Sequence, residues 1–328
     1  MRFLILLSAF VVILMTAMLG SSQSADKPTI IGISINADMP LSPTQDQVYA
    51  SDSNLSKMYE LLTKAGLAAT VFSPTDTVNS YAKLQFTRIG LDPKFELGIS
   101  GNHSNEKLSA APFATQKGIL ETSQRYVGHC NVCGTNEVVL HGFMPQSFDQ
   151  NQDTYKALDD LGIQYDVGFQ AGLLYAPGHE NNVWPYLVEG HKFYAVPVST
   201  YTISGKNVVL QDAYFKNNDM TVTQWYDALV GKFDEIQGKD EPLVVSLTTS
   251  VSGSGDYLDA LKKFMDYTAS KKASFVTIAQ LVAMAKTGVR DVSALPVSKT
   301  SAECTTCGKN TGAIVTISTN NTTQTAKA

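Results

Sequence analysis

Four cysteines carry the most specific spacing in the chain. Cys130-Asn131-Val132-Cys133-Gly134 and Cys304-Thr305-Thr306-Cys307-Gly308 are two copies of one pattern, Cys-x-x-Cys-Gly. Paired thiolates followed by a glycine, which lets backbone amides turn toward sulfur, are the halves of a tetrahedral four-thiolate zinc or iron site. An even cysteine count in an exported chain equally suits two disulfides, within each pair or across them. No histidine follows the second cysteine of either pair, which excludes c-type haem attachment. Either way the cysteines are structural, tying the C-terminal segment to the loop before Val138. A second chemistry-bearing stretch is aromatic: residues 171–201 hold Trp184 and Tyr186 near Pro177-Gly178-His179. These rings could line a glycan-stacking groove or fill the core between elements.

The elements that must position these groups follow an apolar leader. Arg2 precedes the unbroken run 3–19 (FLILLSAFVVILMTAML) and the polar stretch 20–27. This is the layout of a secretory signal or an uncleaved signal-anchor, so a secreted or cell-surface location is expected and an N-terminal membrane anchor stays open. Only 17% of the 328 residues are charged, and acids outnumber bases 30 to 25. Phosphate neutralisation needs the opposite excess, so no nucleic-acid partner is expected.

Residues 29–35 (TIIGISI) read as a buried strand. Leu55, Met58, Tyr59 and Leu62 share one helical face closed by Gly66, and residues 68–72 follow as a strand. The same order recurs with Tyr155, Leu158 and Leu161 before strand 163–169, and with Leu258, Leu261, Phe264 and Met265 before strand 274–278. Further strands are read at 95–99, 138–143, 193–198, 243–247 and 313–318. Such alternation means parallel β/α units, in an open sheet or a barrel. No glycine-rich phosphate loop follows the first strand, which removes the main support for nucleotide binding. The domain reading is a leader (1–25), a β/α unit (28–290) and a C-terminal segment (291–328) with the second cysteine knuckle and a Thr/Asn-rich tail.

Several phrases occur in the order found in one family. Residues 61–74 (LLTKAGLAATVFSP), 96–108 (ELGISGNHSNEKL), 142–166 (GFMPQSFDQNQDTYKALDDLGIQYD) and 242–281, ending in SFVTIAQL, resemble the polysaccharide deacetylase family, also called NodB homology or carbohydrate esterase family 4. The resemblance spans about residues 29–281. It implies an α/β fold, a distorted (β/α) barrel of about seven strands. It also implies a reaction, hydrolysis of an N-acetyl group on a sugar by a divalent metal on one Asp and two His, with a second Asp as base and a late His as acid.

The motif residues survive only in part. The family's Asp-Asp-Gly-Pro corresponds to Ala37-Asp38-Met39-Pro40, which puts Asp38 on the metal-ligand position and Ala37 in place of the base. The loop that should carry two histidines carries His103 alone: Lys107 stands at the second position if His103 is the first, or Ser100 at the first if the ELGIS phrase sets the register. Phe143-Met144-Pro145 lacks the motif arginine, and Leu247-Thr248 lacks the acid histidine. The degenerate zinc site implied is thus Asp38 with His103, and His141 could restore a ligand, as could His179 or His191. Asp149 and Asp153 read as turn and helix-start residues. The expected function is an exported deacetylase-like protein, non-catalytic or strongly diverged, that binds carbohydrate or another cell-envelope polymer. Two alternatives stay open, an active metal-dependent N-deacetylase and a structural envelope or fibre subunit.

Overall fold

The computed structural model describes residues 27–80, 83–128 and 140–294, and the strands at 315–319 and 322–326. The chain runs β1 (Thr29–Asn36), α1 (Gln45–Ala65), β2 (Ala69–Ser73), α2 (Thr75–Ser80), α3 (Lys83–Leu91), β3 (Phe95–Ile99), α4 (Phe113–Val127), β4 (Gly142–Phe143), α5 (Gln152–Asp160) and β5 (Tyr165–Gln170). It continues through β6 (Tyr186–Leu187), β7 (Tyr194–Val198), the hairpin β8 (Thr200–Ile203) and β9 (Lys206–Val209), α6 (Asp212–Asn217), α7 (Val222–Ile236) and β10 (Leu243–Thr248). Last come α8 (Thr249–Ser252), α9 (Gly255–Ala269), β11 (Ala273–Val276), α10 (Ile278–Thr287) and the separate antiparallel pair β12 (Val315–Thr319) and β13 (Thr322–Ala326).

Seven of these strands lie parallel in the order β10-β1-β2-β3-β4-β5-β7. The two ends meet through a thin seam: Ser199 N–H donates to the Val244 carbonyl at 2.9 Å, and Ser246 N–H to the Leu210 carbonyl at 3.0 Å. The result is the distorted (β/α) barrel that the sequence resemblance implies. The expected strand at 274–278 differs. It runs at β11, beside the first half of β1 and off the barrel path, and ends because Thr277 caps α10 and forms a capping box with Gln280. Among the described residues no helix is long and apolar enough to cross a membrane; the leader lies outside them.

Two layers of core follow from strand alternation. Ile31, Ile33, Ile35, Val71, Leu97 and Ile99 pack outward against the helices, including the Leu55, Met58, Tyr59 and Leu62 face of α1. Ile30, Phe72, Tyr165, Val167, Val196 and Val244 pack inward with Ile278 and Leu281 of α10, which plugs the end where the strands begin. Buried Glu96 of β3 holds this plug, accepting from Ala279 N–H and Thr70 Oγ1, both at 3.0 Å. The carboxyl group thereby meets the N-terminus of α10.

Inside the lower barrel, glycine makes room for rings. The Phe72 and Tyr165 rings sit edge-to-face at 6.3 Å. A Cβ on Gly98 would run into Phe72, and one on Gly142 into Tyr165. Gly142→Ala should therefore cost about 1–3 kcal/mol by overpacking. Gly118→Ala, on α4 where a Cβ meets nothing within 4 Å, should instead gain up to about 1 kcal/mol from helix propensity. Urea unfolding of the two variants checks this, and a tolerated Gly142→Ala would show that the barrel interior is looser than described.

Candidate functional site

The carboxyl ends of the parallel strands converge on one mouth, and the side chains they turn inward are neutral. Asn36 ends β1, Ser100 follows β3, and Gln146 follows β4; all three are buried. Asn36 and Gln146 exchange two amide hydrogen bonds: Asn36 Nδ2 donates to Gln146 Oε1 at 3.1 Å, and Gln146 Nε2 to Asn36 Oδ1 at 3.2 Å. Gln146 Nε2 also donates to Ser100 Oγ at 2.6 Å, and that hydroxyl donates to the Met144 carbonyl at 2.7 Å. Local backbone bends deliver Gln146: Pro145 precedes a tight turn in which Ser147 (φ 54) and Phe148 (φ 58) are both left-handed. Each such non-glycine residue costs of order 1 kcal/mol and persists only where its surroundings hold it.

Asp38 lies beside this network, half-buried and hydrogen-bonded through both carboxylate oxygens. Its carboxylate accepts from Thr249 Oγ1 at 2.8 Å, Ser250 N–H at 2.9 Å and Ser250 Oγ at 2.6 Å. Its carbonyl accepts from Ser51 Oγ at 2.6 Å. Asp38 thus clamps the loop after β1 to the start of α8 and to α1.

His103 sits on the neighbouring loop, turned to solvent. Its Nδ1 pairs with Asp76 Oδ2 at 2.5 Å, with side-chain exposures of 46% and 50%. Backbone bonds from Thr75 and Asp76 N–H to the Gly101 and Asn102 carbonyls bring the start of α2 to this loop. Ser100, not His103, occupies the inward position after β3, as the ELGIS register has it. Lys107 precedes a one-turn helix and Thr248 ends β10.

The expectation of zinc at Asp38 and His103 is corrected by this geometry. Among the described residues no group of three or more His, Cys, Asp or Glu side chains could hold a metal ion. One carboxylate already holding three donors and one imidazole paired with a carboxylate do not make the three-ligand set of a catalytic zinc. His141 does not complete it, because it precedes β4 at the opposite end of the barrel, where burial and Lys286 push its imidazole down. His191 pairs with Asp159 at 2.8 Å, and His179 stacks on Tyr186 at 3.9 Å. The cysteines Cys130, Cys133, Cys304 and Cys307, read as disulfides or as ligands of structural zinc or iron, lie outside the described residues. Among the described residues no other group of three or more His, Cys, Asp or Glu side chains could hold a structural metal.

The rings chosen for glycan stacking are also engaged. Tyr186 is buried, its hydroxyl accepting from Ala176 N–H at 3.0 Å. Trp184 donates to the Asp240 carbonyl at 2.9 Å and has the Arg290 guanidinium 3.6 Å over its face. The exposed large side chains at the mouth end are instead Leu41 on the loop after β1, Tyr49 in the first turns of α1, and Leu173, Leu174 and Tyr175 after β5. Nothing in their spacing marks them, since exposure of a loop tyrosine depends on what packs beside it.

Three buried carboxyls also escape sequence reading. Burial pushes Glu96 up, pushes Asp212 up to about 7 and pushes Asp166 up to about 8. Asp212 accepts from Thr248 N–H at 2.8 Å and so fixes the end of β10. Asp166 accepts from Gly168 N–H at 2.7 Å through Oδ1, while Oδ2 has no hydrogen-bond partner among the described residues.

Two predictions follow from these groups. Gln146→Leu leaves the Asn36 amide without its partner and takes from Ser100 Oγ the donor it accepts from, while the Ser100–Met144 bond remains; it should lower unfolding stability by about 2–3 kcal/mol, and an unchanged urea midpoint would show the network to be dispensable. For Asp166 the folded value exceeds the unfolded one, so the folded state binds the extra proton. Its unfavourable contribution therefore grows as pH rises from the ordinary 3.8 to about 8 and then levels. Asp166→Asn should flatten the stability–pH curve over that window, measured by urea unfolding at successive pH values, and an unaltered slope would refute the assignment.

No family model and no curated protein matches the chain. Solved structures do. A Mycobacterium smegmatis protein classed with the polysaccharide deacetylases superposes with a TM-score of 0.60 at 17% identity, over 80% of this chain and 92% of that one. A probable polysaccharide deacetylase from Pseudomonas aeruginosa PAO1 gives 0.59 at 14% identity, over 77% and 89%. Puue allantoinase gives 0.61 at 13% identity, over 81% and 96%. The chain has the fold of the polysaccharide deacetylases, as its phrases imply. Since allantoinase shares that fold, the fold by itself does not assign the reaction.

Proposed function

We propose that this protein is an exported member of the deacetylase-fold group that binds carbohydrate at the barrel mouth and has given up metal-assisted amide hydrolysis. One observation carries the reading: the inward groups of the mouth are neutral and already bonded to one another, and the carboxylate of Asp38 is spent on Thr249 and Ser250. Ala37 offers no base and Thr248 no imidazole. Hydrolysis would need a group that activates water and another that protonates the leaving amine. Sugar binding needs neither. It needs hydroxyl-tolerant polar edges and an aromatic face, which the exposed Tyr49 and Tyr175 supply. The likeness to structures described as polysaccharide deacetylases supports a glycan as the ligand, and the leader supports action outside the cell.

The test is a paired one. Protein supplied with zinc and chitin oligomers should release no acetate above a blank, while co-sedimentation with insoluble chitin or peptidoglycan persists. Tyr175→Ala should weaken that binding by about three- to tenfold, the worth of one stacked ring. Acetate release would overturn the loss of chemistry; failure to sediment with either polymer would overturn the carbohydrate reading.

A further inference from the structure

The barrel seam opens a second, separate cavity. Strands β7 and β10 are joined by few hydrogen bonds, and beside them the loop after β5, the segment before β6 and the β8–β9 hairpin line a cavity of about 220 Å³ that is open to solvent. Its wall includes Lys232, Glu241, Thr200, Asn181, Asn182 and Asn207. None of these belongs to the mouth network.

The wall is unusual in its buried charge. Lys232 of α7 has only 10% of its side chain exposed and pairs with Glu241 at 2.7 Å and Glu235 at 3.0 Å. Burial pulls its ammonium down, but the two carboxylates outweigh burial and the net shift is upward, so Lys232 stays charged. An ammonium has three protons, and two carboxylate partners leave one to spend. Glu241 accepts through Oε1, which leaves Oε2 as an acceptor. The rim adds amides: Asn207 uses Oδ1 to accept from Thr202 Oγ1 at 2.6 Å and keeps its NH2 group, while Asn181 and Asn182 make no side-chain hydrogen bond among the described residues.

This lining selects by chemistry. Among the described residues the lining carries Glu180 and Glu241 against Lys232 alone, a net negative charge, so an anion is disfavoured. Of this lining only Ala171 and Val183 have apolar side chains, beside the aliphatic stem of Lys232, enough to meet the carbon face of a sugar ring but few for a wholly hydrophobic ligand. Donors and acceptors together around a small space, the buried Lys232–Glu241 pair among them, suit vicinal hydroxyls. We infer that the seam cavity is a second ligand site, taking one neutral hydroxyl-rich ring such as a single hexose or N-acetylhexosamine residue. The inference stands apart from the proposed role of the mouth.

Titration of ¹⁵N-labelled protein with glucose, N-acetylglucosamine and its trimer, followed through the asparagine side-chain amide signals, tests it. Saturating shifts at Asn181, Asn182 and Asn207 are expected with at least one sugar, and both Asn182→Leu and Asn207→Leu should weaken that binding about tenfold or more. These residues lie at the rim, so the variants should fold. Tyr175→Ala should leave the seam shifts unchanged. The trimer shows whether the site takes a free ring or a chain end. No saturating shift with any of the three sugars, binding indifferent to both asparagine variants, or tighter binding of inorganic phosphate would each overturn the site. Binding lost in Tyr175→Ala but kept in the asparagine variants would overturn it while supporting the mouth; the converse would support the seam alone.

Discussion

The reciprocal amide pair between Asn36 and Gln146 is the interaction on which the upper barrel depends. Parallel strands aim their carboxyl ends at one ring, and Asn36, Ser100 and Gln146 are largely cut off from water there. In this chain the ring is satisfied internally: Asn36 brings β1, Ser100 brings β3, and Gln146 brings the loop after β4 into one network. An amide pair is self-complementary, each side giving one donor and one acceptor, so it closes without an ion. A mouth so constructed has no need of a metal to hold its loops together. Asp38 serves the same end from outside the ring, joining the loop after β1 to α8.

Below that ring the barrel uses different physics. Rings of Phe72 and Tyr165 occupy the interior where glycines leave space, and α10 closes the floor. Glu96 is the exception to this apolar half. Its buried carboxyl is held because two donors and a helix N-terminus converge on it. The polar mouth and the apolar floor are thus separate layers, and at the seam between β7 and β10 polar groups also line the barrel side.

The repeating helix-glycine-strand order was legible, because burial imposes period 3.6 on a helix face and continuous apolarity on a parallel strand. β3 was read at its full length, and β1 and β10 to within one residue. Other boundaries were not visible in periodicity. The α1 face begins at Leu55, yet the helix starts at Gln45, since the Thr44–Gln47 capping box stabilises an exposed first stretch. The site was legible only as substitutions. Ala37, Ser100 and Thr248 announce that charged and imidazole groups are missing, but the sequence does not say what replaces them. Gln146 joins Asn36 across 110 positions, and no local pattern links two such residues.

The amino-acid sequence by itself determined the β/α alternation, the deacetylase-like barrel and the incompleteness of its metal motif, because these depend on side-chain type along short stretches. Tertiary structure alone decided the fate of each polar group. It turned His103 outward to Asp76, spent Asp38 on Thr249 and Ser250, buried Tyr186, set Arg290 over Trp184 and left Tyr175 in solvent. The reason is physical: a side chain's type sets which bonds it can make, but only the neighbours brought to it by the fold decide which of them it makes.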